Sequence, residues 1–152
     1  MGAEEMRWAS RLCRRLTAYA ESAGLGESFV DVGFSLPHGP NRKPDVSYLS
    51  FDRWPAGRPF PAGDFVPVVP DLVVEVVSPN DTARGVTRKV EEYLTAGVRL
   101  VWVVYPDTAV VHVFGTSSGM TRLTRGDTLT GDPVVPGFAL PLGDLFPPPE
   151  AA

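Results

Sequence analysis

The sequence predicts a single α/β domain, and two observations carry that expectation. The first is Asp71-Leu72-Val73-Val74-Glu75-Val76-Val77, which is nearly continuously apolar and β-branched and reads as a strand buried on both faces of a sheet. The second is the stretch just after it: Val86, Val90, Tyr93 and Leu94 at helical spacing, a closing Gly97, and another apolar run from Arg99 to Tyr105. Strand, helix and strand joined by short links form a crossover unit, so the two strands should lie parallel. The chain has 152 residues, for which one domain is the natural expectation.

The remaining elements are placed around this unit. From about Glu4 to Ala23, the residues Trp8, Ala9, Leu12, Leu16, Tyr19 and Ala23 recur at helical spacing, and Gly24 and Gly26 end the helix. Arg7, Arg11, Arg14 and Arg15 fall on its other face, as a cationic stripe for phosphates or, more commonly for such a pattern, as a solvated surface. Phe29 to Leu36 alternates, with Val30, Val32, Phe34 and Leu36 on one side, and predicts a strand with one buried face. Pro37-His38-Gly39-Pro40-Asn41 turns the chain into a second strand at Pro44 to Leu49, giving a hairpin. Residues from about 50 to 70 are rich in Pro, Gly and aromatics and form a long loop. After Val77, Ser78-Pro79-Asn80-Asp81 stops the strand, with Asn80 or Asp81 as the cap of the next helix. Pro106-Asp107-Thr108 turns into a hairpin partner at Val110 to Phe114, short strand-like pieces occupy Thr121 to Phe146, and 147–152 is a Pro-rich tail. No internal repeat or domain linker is visible.

Composition narrows the function classes. The net charge is −4, so this is not a protein that coats nucleic acid through bulk positive charge; contact with phosphates would need a local patch or a metal. Cys13 is the only cysteine, which excludes an internal disulfide, and with only His38 and His112 to help, a Cys/His zinc site as well. The expected compartment is a reducing cytoplasm. Met1-Gly2-Ala3-Glu4-Glu5 lacks the basic and apolar regions of a signal peptide, and the longest apolar runs are too short to span a bilayer.

Glu75 is the residue that the pattern does not explain. An ionised carboxylate inside the most apolar strand is costly unless it shifts its pKa, pairs, or binds a metal. The plain explanation is a salt bridge to Lys89, Arg42 or Lys43. The chemical one is convergence: Asp45 comes directly after Pro44 in the strand before the loop, and Lys89 flanks the apolar face of the following helix, so its stem can lie on the sheet while its amine reaches inward. Two carboxylates and an amine are what metal-assisted phosphodiester hydrolysis needs. The carboxylates bind Mg2+, the metal activates water, and the lysine orients that water or stabilises the developing anion.

Pro44-Asp45, the stretch Asp71 to Pro79, Lys89, Tyr93, Ala96-Gly97-Val98 and Trp102 together resemble the Uma-two family of restriction endonucleases within the PD-(D/E)XK nuclease superfamily, over about residues 29 to 146. The resemblance implies a restriction-endonuclease-like mixed β-sheet flanked by helices and a nuclease acting on DNA with Mg2+, for which Mn2+ can substitute. It implies Asp45 and Glu75 as metal ligands, the main-chain carbonyl of Val76 as a third, and Lys89 as the catalytic amine. The superfamily's lysine two residues after the glutamate is replaced here by Val77; the family pattern has an aliphatic residue there and draws its lysine from the next helix. The alternative is a catalytically inactive domain of this fold that binds a protein or nucleic-acid partner.

Four further residues have a plain reading beside a functional one. Asp71 points to the same side as Glu75 but lies roughly 13 Å along the strand, as a strand-start residue would. His38 reads as a turn residue and His112 as the solvent face of a strand, while Glu21 is a candidate accessory ligand from the first helix. Phe51, Trp54, Phe60 and Phe65 give the 50–70 loop more apolar area than a free loop exposes, so it is expected to cover the active-site side or to join a homodimer interface.

Overall fold

The computed structural model describes residues 2–116 and 119–148. At its centre lies β5 (Leu72–Val76), every residue of which is buried. The strand enters α2 (Ala83–Ala96) and returns as β6 (Leu100–Tyr105), parallel to β5 with Glu75 opposite Val103. The helix begins at Thr82, whose side chain accepts from Gly85 N at 3.0 Å, and ends at Gly97 in left-handed backbone, φ 110°. The cap is therefore neither Asn80 nor Asp81; Asp81 instead accepts from the Ser78 amide at 2.9 Å and closes the preceding turn.

Four antiparallel neighbours extend the sheet. On one side β3 (Val46–Ser50) pairs with β5, and β1 (Gly26–Val30) pairs with β3. On the other, β7 (Val110–Gly115) pairs with β6 and β8 (Gly119–Leu123) with β7, giving the order β1-β3-β5-β6-β7-β8. This is the mixed sheet the sequence predicts.

Alternation sorts the strands' side chains into two cores. Val46, Tyr48, Leu72, Val74, Val76 and Trp102 meet α1 (Ala3–Ala23) and the C-terminal segment, which contributes β9 (Thr128–Thr130), β10 (Ala139–Pro141) and α3 (Leu142–Leu145). Leu49, Val73, Val101 and Val103 meet α2 on the opposite face. On α1 the fully buried residues are Ala9, Leu12, Leu16 and Ala20; Ala23, expected on that face, is exposed. Among the described residues no helix is long and apolar enough to cross a membrane.

The strand expected at 29–36 is not one strand. Asp31 adopts φ 56°, which breaks the ladder after Val30, and the chain leaves the main sheet as β2 (Gly33–Phe34), parallel to β4 (Phe65–Val66). Its apolar residues go to different places: Val30 is 38% exposed on the edge strand, while Phe34 and Leu36 are buried in the α2-side core. The hairpin partnership with β3 survives through β1.

The 50–70 loop packs down. Trp54 is buried and stacks on Phe60 at 5.2 Å, and Phe60 meets Phe29 of the edge strand at 5.3 Å. Of the 147–152 tail, residues 149–152 lie outside the described residues.

Candidate metal and catalytic cleft

The carboxyl end of β5, the start of β3 and the first turns of α2 surround an open cleft of about 280 Å3, lined by Asp45, Glu75, Val76, Asp81 and Lys89 with Asp31, Lys43, Ser78 and Glu5 around them. Crevices beyond the carboxyl ends of strands are where open α/β sheets place ligands. Strand parity aims Glu75 at α2, where Lys89 and Tyr93, one turn apart on the same helix face, come down to meet it.

The two oxygens of Glu75 have different surroundings. Oε1 accepts a hydrogen bond from the Tyr93 hydroxyl at 2.6 Å. Oε2 stands 3.9 Å from Lys89 Nζ, beyond hydrogen-bonding distance. The carboxylate is thus anchored on one side and incompletely compensated on the other. Burial, and then the charge of Asp45, push Glu75 up to about 7, against the opposing effects of Tyr93 and Lys89. Burial of Tyr93 and the charge of Glu75 raise the phenol as well, so it remains a protonated donor.

Asp45 enters from the chain just ahead of β3. Its Oδ2 accepts from Val76 N at 2.7 Å. Burial raises its pKa while that amide and Lys89 work against the rise. The Val76 amide points toward Asp45, and the next amide, Val77 N, points away to Val104 O at 2.9 Å. In an extended strand the N–H and C=O of one residue share a side, so the Val76 carbonyl also faces the Asp45 edge.

The structure therefore brings Asp45, Glu75, Val76 and Lys89 to one cleft. Val77 packs into the α2-side core, and the amine near Glu75 comes from the helix. The other cations considered as partners of Glu75 are engaged elsewhere: Arg42 Nε donates to Glu92 at 2.8 Å, and Lys43 stands 3.9 Å from Asp31. Among the described residues no group of three or more His, Cys, Asp or Glu side chains is arranged to hold a metal. The oxygens that could serve a cation here are those of the two carboxylates and the Val76 carbonyl, a set whose chemistry would suit a hard cation that keeps several waters.

The weaker candidates fall outside this set. Asp71 is buried under the long loop, where its Oδ2 accepts from Ser50 N at 2.7 Å and its Oδ1 lies 3.1 Å from Arg53 Nε and 3.9 Å from Arg99. His38 occupies the tip of its turn with φ 58°. His112 is half-buried between the rings of Tyr105 and Phe114, and that burial lowers its pKa. Glu21 is exposed; the α1 acid at the cleft is Glu5, in the first turn of the helix rather than its last. No residue of the 50–70 loop lines the cleft, so the expectation that the loop covers the active-site side fails: Phe51, Trp54 and Phe60 lie along the β1/β3 edge and Phe65 lies against Gly33 of β2, with Phe60 and Phe65 still 40% exposed. In the sequence Tyr93 reads as core and as part of the family resemblance, with no role at Glu75. The available signal was its position four residues after Lys89, because a buried tyrosine hydroxyl requires a partner.

The sheet order, the crossover and the cleft define a restriction-endonuclease-like fold. A putative nuclease belonging to DUF820 from Anabaena variabilis ATCC 29413 superposes with a TM-score of 0.84 at 17% identity, over 96% of this chain and 82% of that one. A family model described as "Uma2: Putative restriction endonuclease" matches residues 1–143, and the chain belongs to that family. No curated protein matches it.

Proposed function

We propose that the protein is a Mg2+-dependent endonuclease that hydrolyses phosphodiester bonds in DNA, with Mn2+ able to replace Mg2+. The observation that carries this reading is Glu75: a carboxylate in the central strand with one oxygen fixed by Tyr93 and the other 3.9 Å from Lys89, lining an open cleft that Asp45 also lines. An ion pair serving only the fold would close on Glu75 with hydrogen-bonding contact, whereas Lys89 stands off at 3.9 Å.

In this reading Asp45, Glu75 and the Val76 carbonyl hold the cation. When bound, it supplies Lewis-acid activation of water and neutralises charge on the phosphate. Asp45 is held in place by the Val76 amide, and Glu75 by Tyr93, so neither carboxylate has to be ordered when substrate arrives. Lys89 presents an ammonium beside the reacting phosphate, where it orients the nucleophilic water or stabilises the developing anion.

The test is plasmid nicking with Mg2+ or Mn2+. Glu75→Gln should abolish cleavage without loss of fold, because Gln keeps the size and removes the charge that holds the cation. Lys89→Ala should slow cleavage by about a hundredfold or more with little effect on metal affinity. Wild-type protein inert with both metals on single- and double-stranded DNA, together with a large fall in melting temperature for Glu75→Gln, would make Glu75 a structural ion-pair partner and end the nuclease reading.

A further inference from the structure

The arginines of α1 are unused by the cleft chemistry. Between Met6 and Ala20 the helix carries Arg7, Arg11, Arg14 and Arg15 and no acidic residue, in a chain whose net charge is −4. At about 100° per residue the four lie within an arc of roughly 100°, on the side away from the buried Leu12 and Leu16. Arg11, Arg14 and Arg15 line a groove of about 200 Å3 between α1 and the Leu140–Leu145 segment.

Their partnerships leave most of this charge available. Arg7 meets Glu4 at 3.2 Å and Arg15 meets Asp144 at 4.0 Å, both between well-exposed side chains, where such pairs are weak. Arg11 lies over the Trp8 ring at 5.0 Å, and among the described residues neither Arg11 nor Arg14 has a carboxylate within 4.0 Å. The helix also runs out of the cleft: Glu5 in its first turn lines the cleft, and Arg11 and Arg14 lie about 9 and 14 Å further along the axis.

We infer that this stripe is a binding surface for the phosphodiester backbone of duplex DNA, one that holds the flanking duplex while one phosphate occupies the cleft. The inference rests on the nuclease reading above for the identity of its partner. The charge complementarity is that of arginine for phosphate. Contact with backbone rather than with unpaired bases is indicated by the aromatics: single-strand sites stack bases on exposed rings, whereas Trp8 is packed on Phe146 at 5.2 Å and covered by Arg11, and Tyr19, beside Arg15, lies edge-on to Phe138 with its hydroxyl donating to Pro136 O at 2.6 Å. An acid-lined cleft repels a polyanion, so a cationic surface set apart from it is where electrostatic affinity would reside.

The experiment is fluorescence anisotropy in EDTA, where no metal-dependent cleavage occurs, with a labelled duplex of about 20 base pairs and the matching single strand across a salt series. Wild-type protein should bind the duplex more tightly than the single strand. The double variant Arg11→Gln/Arg14→Gln should bind the duplex at least about tenfold more weakly at low salt, and its slope of log K against log salt should be shallower by about 2, one unit per lost phosphate contact. An unchanged slope in the variant, tighter binding to single strands, or no duplex binding by the wild type would overturn the inference. Plasmid nicking run in parallel separates the two claims: cleavage with an unchanged salt slope removes the stripe and leaves the nuclease, whereas stripe-dependent binding without any cleavage does the reverse.

Discussion

Glu75 is raised from 4.5 to about 7, chiefly by burial, and this has a consequence for the metal-free fold. A carboxyl group whose pKa is higher in the folded than in the unfolded chain binds its proton more tightly when folded. Its stabilising contribution is therefore complete below about pH 4.5 and is lost as pH rises to about 7, on the order of 3 kcal/mol across that window. Melting curves in EDTA should show wild-type stability falling over this range relative to Glu75→Gln, which has no such group. Parallel curves for the two proteins would mean that Glu75 is fully compensated by its neighbours. Tyr93 gives a second check. Tyr93→Phe keeps the ring in the core and removes the donor to Oε1. It should cost about 2 kcal/mol at about pH 8, where Glu75 is ionised, and less at about pH 5, as read from urea titrations at the two pH values. An equal cost at both would place the hydroxyl's importance elsewhere than on the carboxylate.

The crossover was legible in the sequence because each of its parts has a local cause: β-branched residues for β5 and β6, the 3.6-residue spacing of Val86, Val90 and Tyr93, and Gly97 for the left-handed turn. The edge hairpin was only half legible. Alternation at Val30, Val32, Phe34 and Leu36 records that alternate side chains are apolar, but it does not record that Asp31 takes a positive φ and sends the chain to another sheet. The long loop is the other case. Its aromatics announced that it packs, yet its anchor is ionic and long-range. Arg53 lies against buried Asp71 and donates to Val69 O at 3.1 Å, Pro70 O at 3.3 Å and Gly97 O at 3.2 Å, tying both ends of the loop to the turn after α2. Arg53→Ala leaves Asp71 buried with Arg99 as a distant partner, and should destabilise the protein by about 3 kcal/mol in urea unfolding. A change within about 0.5 kcal/mol would show that Asp71 finds other compensation.

At the scale of the whole molecule, the sheet separates two kinds of work. Its α1 face is a continuous apolar core closed by the C-terminal segment, and its α2 face carries the cleft at one end. Asp45, Glu75 and Lys89 could be read as a set because each has a sequence oddity: a Pro-Asp pair, a carboxylate in an apolar strand, a lysine beside an apolar helix face. Glu5 and Tyr93 could not, since an acid in the first turn of a helix and an aromatic on its apolar face both have ordinary explanations until the tertiary fold brings them to the cleft. The central claim is that this cleft holds a hard divalent cation between Asp45 and Glu75. Anomalous diffraction from crystals grown with Mn2+ measures that directly. The expected result is a single strong peak with Asp45 and Glu75 oxygens and the Val76 carbonyl about 2.0–2.6 Å away and Lys89 Nζ outside the coordination sphere. No peak in the cleft, with Lys89 closed onto Glu75 at hydrogen-bonding distance, would contradict it.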